Sequence, residues 1–166
     1  MSQRTSNPKS AVISDCGAYR YRLSRMTDCP LRWVKRICWI MLNPSTADEV
    51  NDDPTIRRIL GFSSSWGYTH VEVVNLYALR ATDPAALCSH PDPIGPLNDT
   101  WIRDMSASAD VTVAAWGAHK MASGDRVQKV WNAAAHNLWC LGVTKRGAPR
   151  HPLYLPKTAQ LEGWMP

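Results

Sequence analysis

Ile37-Cys38-Trp39-Ile40-Met41-Leu42-Asn43-Pro44-Ser45-Thr46 is an apolar run that stops abruptly at an Asn-Pro pair. A short run rich in aliphatic and aromatic residues, closed by such a breaker, reads as a buried strand delivering a polar loop at its carboxyl end. In open α/β sheets that end is where ligands bind. Three further apolar runs finish in the same way: Val71 to Tyr77 with Asn75 near its end, Val111 to Gly117, and Leu138 to Val143, which leads into a basic, proline-containing segment.

Between these strands lie helix patterns. Asp53-Pro54 supplies a cap and a proline at the first helical position. Ile56, Ile59, Leu60 and Phe62 then form an apolar stripe with Arg57 and Arg58 off it, and Gly67 ends the helix. Asn98 is expected to cap a second helix through Trp101, Ile102 and Met105, and a third runs from about Asp125 to Ala135. Upstream, Tyr19 to Leu23 alternates like a half-exposed strand, expected to pair with Trp33 to Leu42 as a hairpin.

Strands alternating with helices give an α/β fold, expected here as a three-layer α/β/α sandwich around a central, mostly parallel four-stranded sheet. A chain of 166 residues fits one domain. Residues 1–17 carry no periodicity and are expected to be a flexible tail, with a single domain over residues 18–166.

The formal charge of +5 permits a polyanionic partner without requiring one. The five cysteines, Cys16, Cys29, Cys38, Cys88 and Cys140, include no Cys-x-x-Cys pair, so reduced thiols and neither metal nor cofactor are expected. No apolar stretch approaches 18 residues and the start is polar, so a soluble, cytoplasmic protein with no membrane partner is expected.

A parallel sheet lines up the carboxyl ends of its strands, which gathers Asn43, Asn75, Trp116 to His119, and the segment from Lys145 to Leu155 along one edge. The set holds no Ser-His-Asp order, no phosphate-cradling glycine loop, no metal spacing and no zinc-deaminase pattern. Amides, each with a donor and an acceptor, suit reading the hydrogen-bonding edge of a nucleobase. A histidine suits a developing negative charge.

Met41-Leu42-Asn43-Pro44-Ser45-Thr46-Ala47, Asp52-Asp53-Pro54-Thr55-Ile56-Arg57-Arg58, Val74-Asn75-Leu76, Ala115-Trp116-Gly117 and Arg150-His151-Pro152-Leu153-Tyr154-Leu155 resemble the motifs of an uncharacterised domain family. Their order in turn resembles the uracil-DNA glycosylase superfamily. There, an Asp/Asn-Pro loop, a base-reading Asn, a Trp-Gly strand end and a His-Pro-Ser loop follow one another. Residues 33 to 156 carry the resemblance. Two departures stand out. Asn43 occupies the place of the uracil enzymes' carboxylate, as in mismatch-type members, and Leu153 stands where Ser is usual, which puts backbone clamping by that loop in doubt.

The resemblance implies a uracil-DNA-glycosylase-like fold and monofunctional hydrolysis of a base-deoxyribose bond, without cofactor. Asn43 would position the water and His151 would donate to the base oxygen. Asn75 would read the base edge, and Trp66, Tyr77 or Trp116 would stack on the extruded ring. Asp48, Asp52 and Asp53 are alternatives to Asn43 for activating water, although Asp53 also reads as a helix cap. Ser45, small where strict uracil enzymes place an aromatic, implies room for a 5-substituted pyrimidine, including the hydroxymethylated or glucosylated bases of phage DNA and hence an antiviral role.

Lys145, Arg146 and Arg150 would hold phosphates and Leu153 or Tyr154 would fill the vacated stack. The partner would be DNA, as a duplex with a flipped nucleotide or as a single strand, and the enzyme a monomer. The alternatives are uracil or thymine mismatch repair, a non-catalytic module binding nucleic acid or a modified base, and a hydrolase of free nucleosides.

Overall fold

Alternation along the opening run sends Cys38 and Ile40 to one face of a sheet and Ile37, Trp39 and Met41 to the other, and all five are buried. A strand apolar on both faces needs helices above and below it. The computed structural model, which describes residues 9–45 and 47–166, supplies them. Its strands are β1 (Lys9–Ile13), β2 (Arg20–Met26), β3 (Arg36–Met41), β4 (His70–Asn75), β5 (Val111–Ala114), β6 (Leu138–Cys140) and β7 (Glu162–Trp164). Its helices are α1 (Pro54–Ser65), α2 (Ala86–Ser89), α3 (Asn98–Ser108) and α4 (Gly124–Ala133), with a 3-10 turn at Pro152–Tyr154.

The sheet is mixed and has seven strands in the order β1-β2-β4-β3-β5-β6-β7, rather than the four expected. The four expected strands are its parallel centre, with Trp39 level with Val73 on one side and Val113 on the other. Antiparallel strands extend both edges. On one side β2 pairs with β4 and β1, not with β3, so the hairpin expected between β2 and β3 does not form. The reason is competition: β4 and β5 claim both edges of β3, leaving β2 the outer edge of β4. Residues 9–13 of the expected tail are therefore a strand, drawn into order by the unpaired backbone groups of β2. Residues 1–8 lie outside the described residues.

Each face carries its own core. Ile37, Trp39, Val71, Val73 and Val113 meet Ile56, Ile59 and Phe62 of α1. On the opposite face, Cys38, Ile40, Val74, Ala114 and Leu138 meet Ile102 of α3 and Val127 and Val130 of α4. α1 starts as its sequence requires, with Asp53 Oδ1 accepting the Ile56 N–H at 2.8 Å and proline at the first position. Gly67 follows its end with φ +81°.

Asn98 departs from its expected capping role. Leu97 is the cap residue of α3, and the buried Asn98 amide donates to the carbonyls of Asn75 (3.0 Å) and Leu76 (3.1 Å). It thereby secures the carboxyl end of β4. Among the described residues no helix is long and apolar enough to cross a membrane.

Candidate functional site

The central strands run in the order β4-β3-β5-β6, so the connection leaving β3 goes toward β4 and the one leaving β5 goes the opposite way toward β6, and a crevice opens between the carboxyl ends of β3 and β5. It holds a cavity of about 270 Å³, close to the lower bound of about 300 Å³ for small-molecule sites. Asn43 and Ser45 after β3, Asn75 of β4, Trp116 after β5, and His151 and Tyr154 from the last loop all line it. Residues as far apart in the chain as Asn43 and Tyr154 thus meet at one sheet edge, as the strand-end pattern requires.

Backbone hydrogen bonds fix the walls. The Leu76 and Tyr77 N–H groups donate to Met41 O (2.8 Å) and Leu42 O (3.0 Å), and Ala81 N–H donates to Pro44 O (2.9 Å). Asn43 is locked within this zipper: its Nδ2 donates to Ala81 O (2.8 Å) and Pro44 O (3.1 Å). Both amide hydrogens are consumed, so Oδ1 is the atom left to accept, as orienting a water requires. Asn75 is buried at 1% exposure and its Nδ2 lacks a partner among the described residues.

Gly117 brings the histidine loop in. Its φ is +74° and a Cβ there would lie 3.3 Å from His151 Cβ, while its N–H donates to Pro149 O at 3.0 Å. Arg58 of α1 donates to Leu155 O and pins the far end of the loop. His151 Nδ1 accepts the Leu153 N–H at 3.3 Å. That contact assigns the ring proton to Nε2 and makes His151 a neutral donor.

Burial depresses the His151 pKa below the ordinary histidine value, and the nearby Asp53 carboxylate offsets part of that shift by raising it. The ring therefore stays neutral at pH 7. As pH falls below about 6.5 the unfolded histidine takes up a proton and the folded one does not. Its contribution to stability is thus full above that pH and declines toward the lower folded value. Asp53→Asn keeps a capping oxygen but removes the charge, so the His151 titration midpoint followed by NMR is expected to drop further. An unchanged or higher midpoint would show that Asp53 does not act on the ring.

The three aspartates separate cleanly. Asp48 spends its carboxylate on the Asn51 and Val50 N–H groups, which hold its pKa down to about 2. Asp52 bridges Arg25 (2.6 Å) and Lys9 (3.0 Å). Asp53 alone of the three lines the cavity.

Two expected stacking residues lie elsewhere. Tyr77 packs on the α3/α4 side of the sheet with its hydroxyl donating to Met121 O (2.8 Å), because Asn75 and not Tyr77 ends the strand at the crevice. Trp66 stacks on Trp39 (6.0 Å) and Phe62 (5.3 Å) against α1. Trp116 remains, held edge-on by Trp164 at 5.2 Å. Tyr154 stands at the rim, 83% exposed, 5.6 Å from the His151 ring. His119 accepts the Met121 N–H, which is the local capping role open to it.

Lys145, Arg146, Arg150 and Leu153 are exposed around the loop, but Arg146 lines a neighbouring hollow with Trp164 rather than the cavity. A second basic cleft, with Arg57, Arg58 and Lys157 on its walls, flanks the other side of α1. Sequence reading passed over Arg20 and Thr55 as wall residues. Arg20 sits in an alternating strand whose cations read as solvated, and only tertiary packing shows that it is buried at 3% exposure. The described residues contain no group of three or more His, Cys, Asp or Glu side chains placed to hold a metal ion.

A family model described as a protein of unknown function (DUF1643) matches residues 20–153, a span that begins and ends on residues of this site and its loop. No curated protein and no solved structure matches the chain.

Proposed function

The chain belongs to the DUF1643 family, and from the geometry of its crevice we propose that it is a glycosidic-bond hydrolase acting on a modified pyrimidine nucleotide in DNA. The observation that carries the reading is the meeting of Asn43, Ser45, Asn75, Trp116 and His151 on one cavity of about 270 Å³. The uracil-DNA-glycosylase-like assignment of the fold belongs to this same proposal.

Breaking the base–sugar bond builds positive charge on the sugar and negative charge on the base. His151, a neutral donor through Nε2, meets the base oxygen as charge grows there. Asn43 Oδ1 orients the water, and the Asp53 carboxylate stabilises the cationic sugar or accepts the water's proton. Trp116 and Tyr154 offer faces for an unstacked ring. The small Ser45 leaves room at carbon 5, which favours a substituted pyrimidine over uracil, with the bulkier phage bases and an antiviral role among the substrates this predicts. Lys145, Arg146 and Arg150 on one side, and Arg57 and Lys157 on the other, supply cations for flanking phosphates. Action in the cytoplasm as a monomer is part of the proposal.

The test is mass-spectrometric detection of free base from uracil-containing, mismatched-thymine, hydroxymethylated and glucosylated DNA, with wild type and Asn43→Ala. Release of one base, reduced at least about 100-fold in the variant, is the expected result. Turnover that survives the substitution would remove Asn43 from the mechanism. DNA binding with no base released from any substrate would favour the non-catalytic module.

A further inference from the structure

Arg20 is the one cation among the described residues that line the cavity. It is 3% exposed, and none of the described carboxylates forms a salt bridge with it. Its Nη1 donates to Ala47 O, and its Nε has no partner among the described residues. Burying a guanidinium without a counter-ion is costly, and such groups persist where something else balances them.

The charges around it do not provide that balance. Burial draws the Arg20 pKa down to about 10, with Asp53 and Asp48 raising it and Arg80 and Arg25 lowering it. Two carboxylates thus face two further cations. Asp48 and Arg25 are engaged with other partners, and Arg80 also has a buried Nε without one. Among the described residues, two cavity-lining donors, Arg20 Nε and Asn75 Nδ2, are thus buried without an acceptor. The remaining wall donors, His151 Nε2 among them, are uncharged.

We propose that Arg20 is the anion-binding group of the cavity, receiving a negatively charged oxygen of the bound ring. Resting on the pyrimidine reading above, this assigns the cavity a preference for a pyrimidine anion, the form in which a base departs, over the neutral base. Arg20 would supply the full charge that a neutral histidine and two amides do not.

The probes are two free bases at pH 7: thymine, which is neutral, and 5-nitrouracil, whose nitro group makes the ring N–H acidic enough to yield an anion. Isothermal titration of the full chain is expected to show the anion binding at least about tenfold more tightly than thymine. Arg20→Gln should abolish that preference and Arg20→Lys should keep part of it, with thermal unfolding checking that each variant folds. Should the Gln variant fail to fold, the wild-type comparison and the Lys variant still decide. Equal affinity of wild type for the two bases, or an undiminished preference in folded Arg20→Gln, would overturn the role of Arg20 and leave the pyrimidine site standing. Binding of neither base would overturn the pyrimidine reading itself, and the inference with it.

Discussion

His151→Ala is expected to slow single-turnover base release by about 10²–10³-fold, the usual consequence of deleting one preorganised donor to a developing oxyanion. The magnitude follows from the way the ring is held. Nδ1 is occupied by the Leu153 N–H, so Nε2–H is presented without rotation, and Gly117 packs so close that a Cβ there would lie 3.3 Å from His151 Cβ. A donor fixed before the reaction stabilises the transition state without reorganising. Stability should change far less, by the roughly 0.5–1.5 kcal/mol of the one hydrogen bond lost. His151→Gln offers an amide donor of similar reach and is expected to recover part of the rate. A His151→Ala rate within about threefold of wild type, with DNA binding intact, would show that another group meets the leaving oxygen.

Trp39→Ala is expected to cost about 3–5 kcal/mol in urea unfolding, the range for deleting a fully buried large aromatic. Trp39 has no exposed surface and stacks with Trp66 at 14°. Phe62 lies 6.5 Å away on the same face. The indole Nε1 donates to Ser63 Oγ (3.0 Å), which in turn donates to Ile59 O (2.7 Å), so the side chain ties β3 to α1 by polar as well as apolar contact. Trp39→Phe keeps much of the volume and loses the bond to Ser63, and should fall between the variant and wild type. Because α1 carries Asp53 and Thr55 to the cavity wall, ligand affinity is expected to fall along with stability. A cost below about 1 kcal/mol would mean that the core closes around the gap.

The two predictions act at different levels. The first removes a group whose energy appears only with a ligand present, and the second removes packing that exists in the free chain. Their separation in experiment tests whether the crevice is preorganised by the core or assembled by its ligand.

Much of this was legible from local chemistry. The period-two burial of β3, the Asp53 cap with proline beside it and the glycine after α1 are short-range matters, set by sterics and by hydrogen bonds within four residues. Parallel strands then carry their carboxyl ends to one edge, and that rule alone gathers Asn43, Asn75, Trp116 and His151.

Edges and side-chain fates were not legible. β1 and β7 have five and three residues, too few for a period, and exist because β2 and β6 leave backbone groups unpaired. Tyr77 lies two positions beyond the cavity-lining Asn75, yet the chain turns after β4 and buries it on the other face. Asn98 reads as a cap in sequence and serves as a brace for β4 in space.

By itself, then, the sequence determined an α/β chain with its polar loops collected at one sheet edge, because periodicity and capping are local and parallel pairing is directional. Only the tertiary structure decided which of the three aspartates reaches the cavity, which aromatic walls it and that Arg20 lies buried there with no salt bridge to a described carboxylate. Those outcomes depend on contacts between segments far apart in the chain, where burial and the pairing of charges are properties of the packed whole.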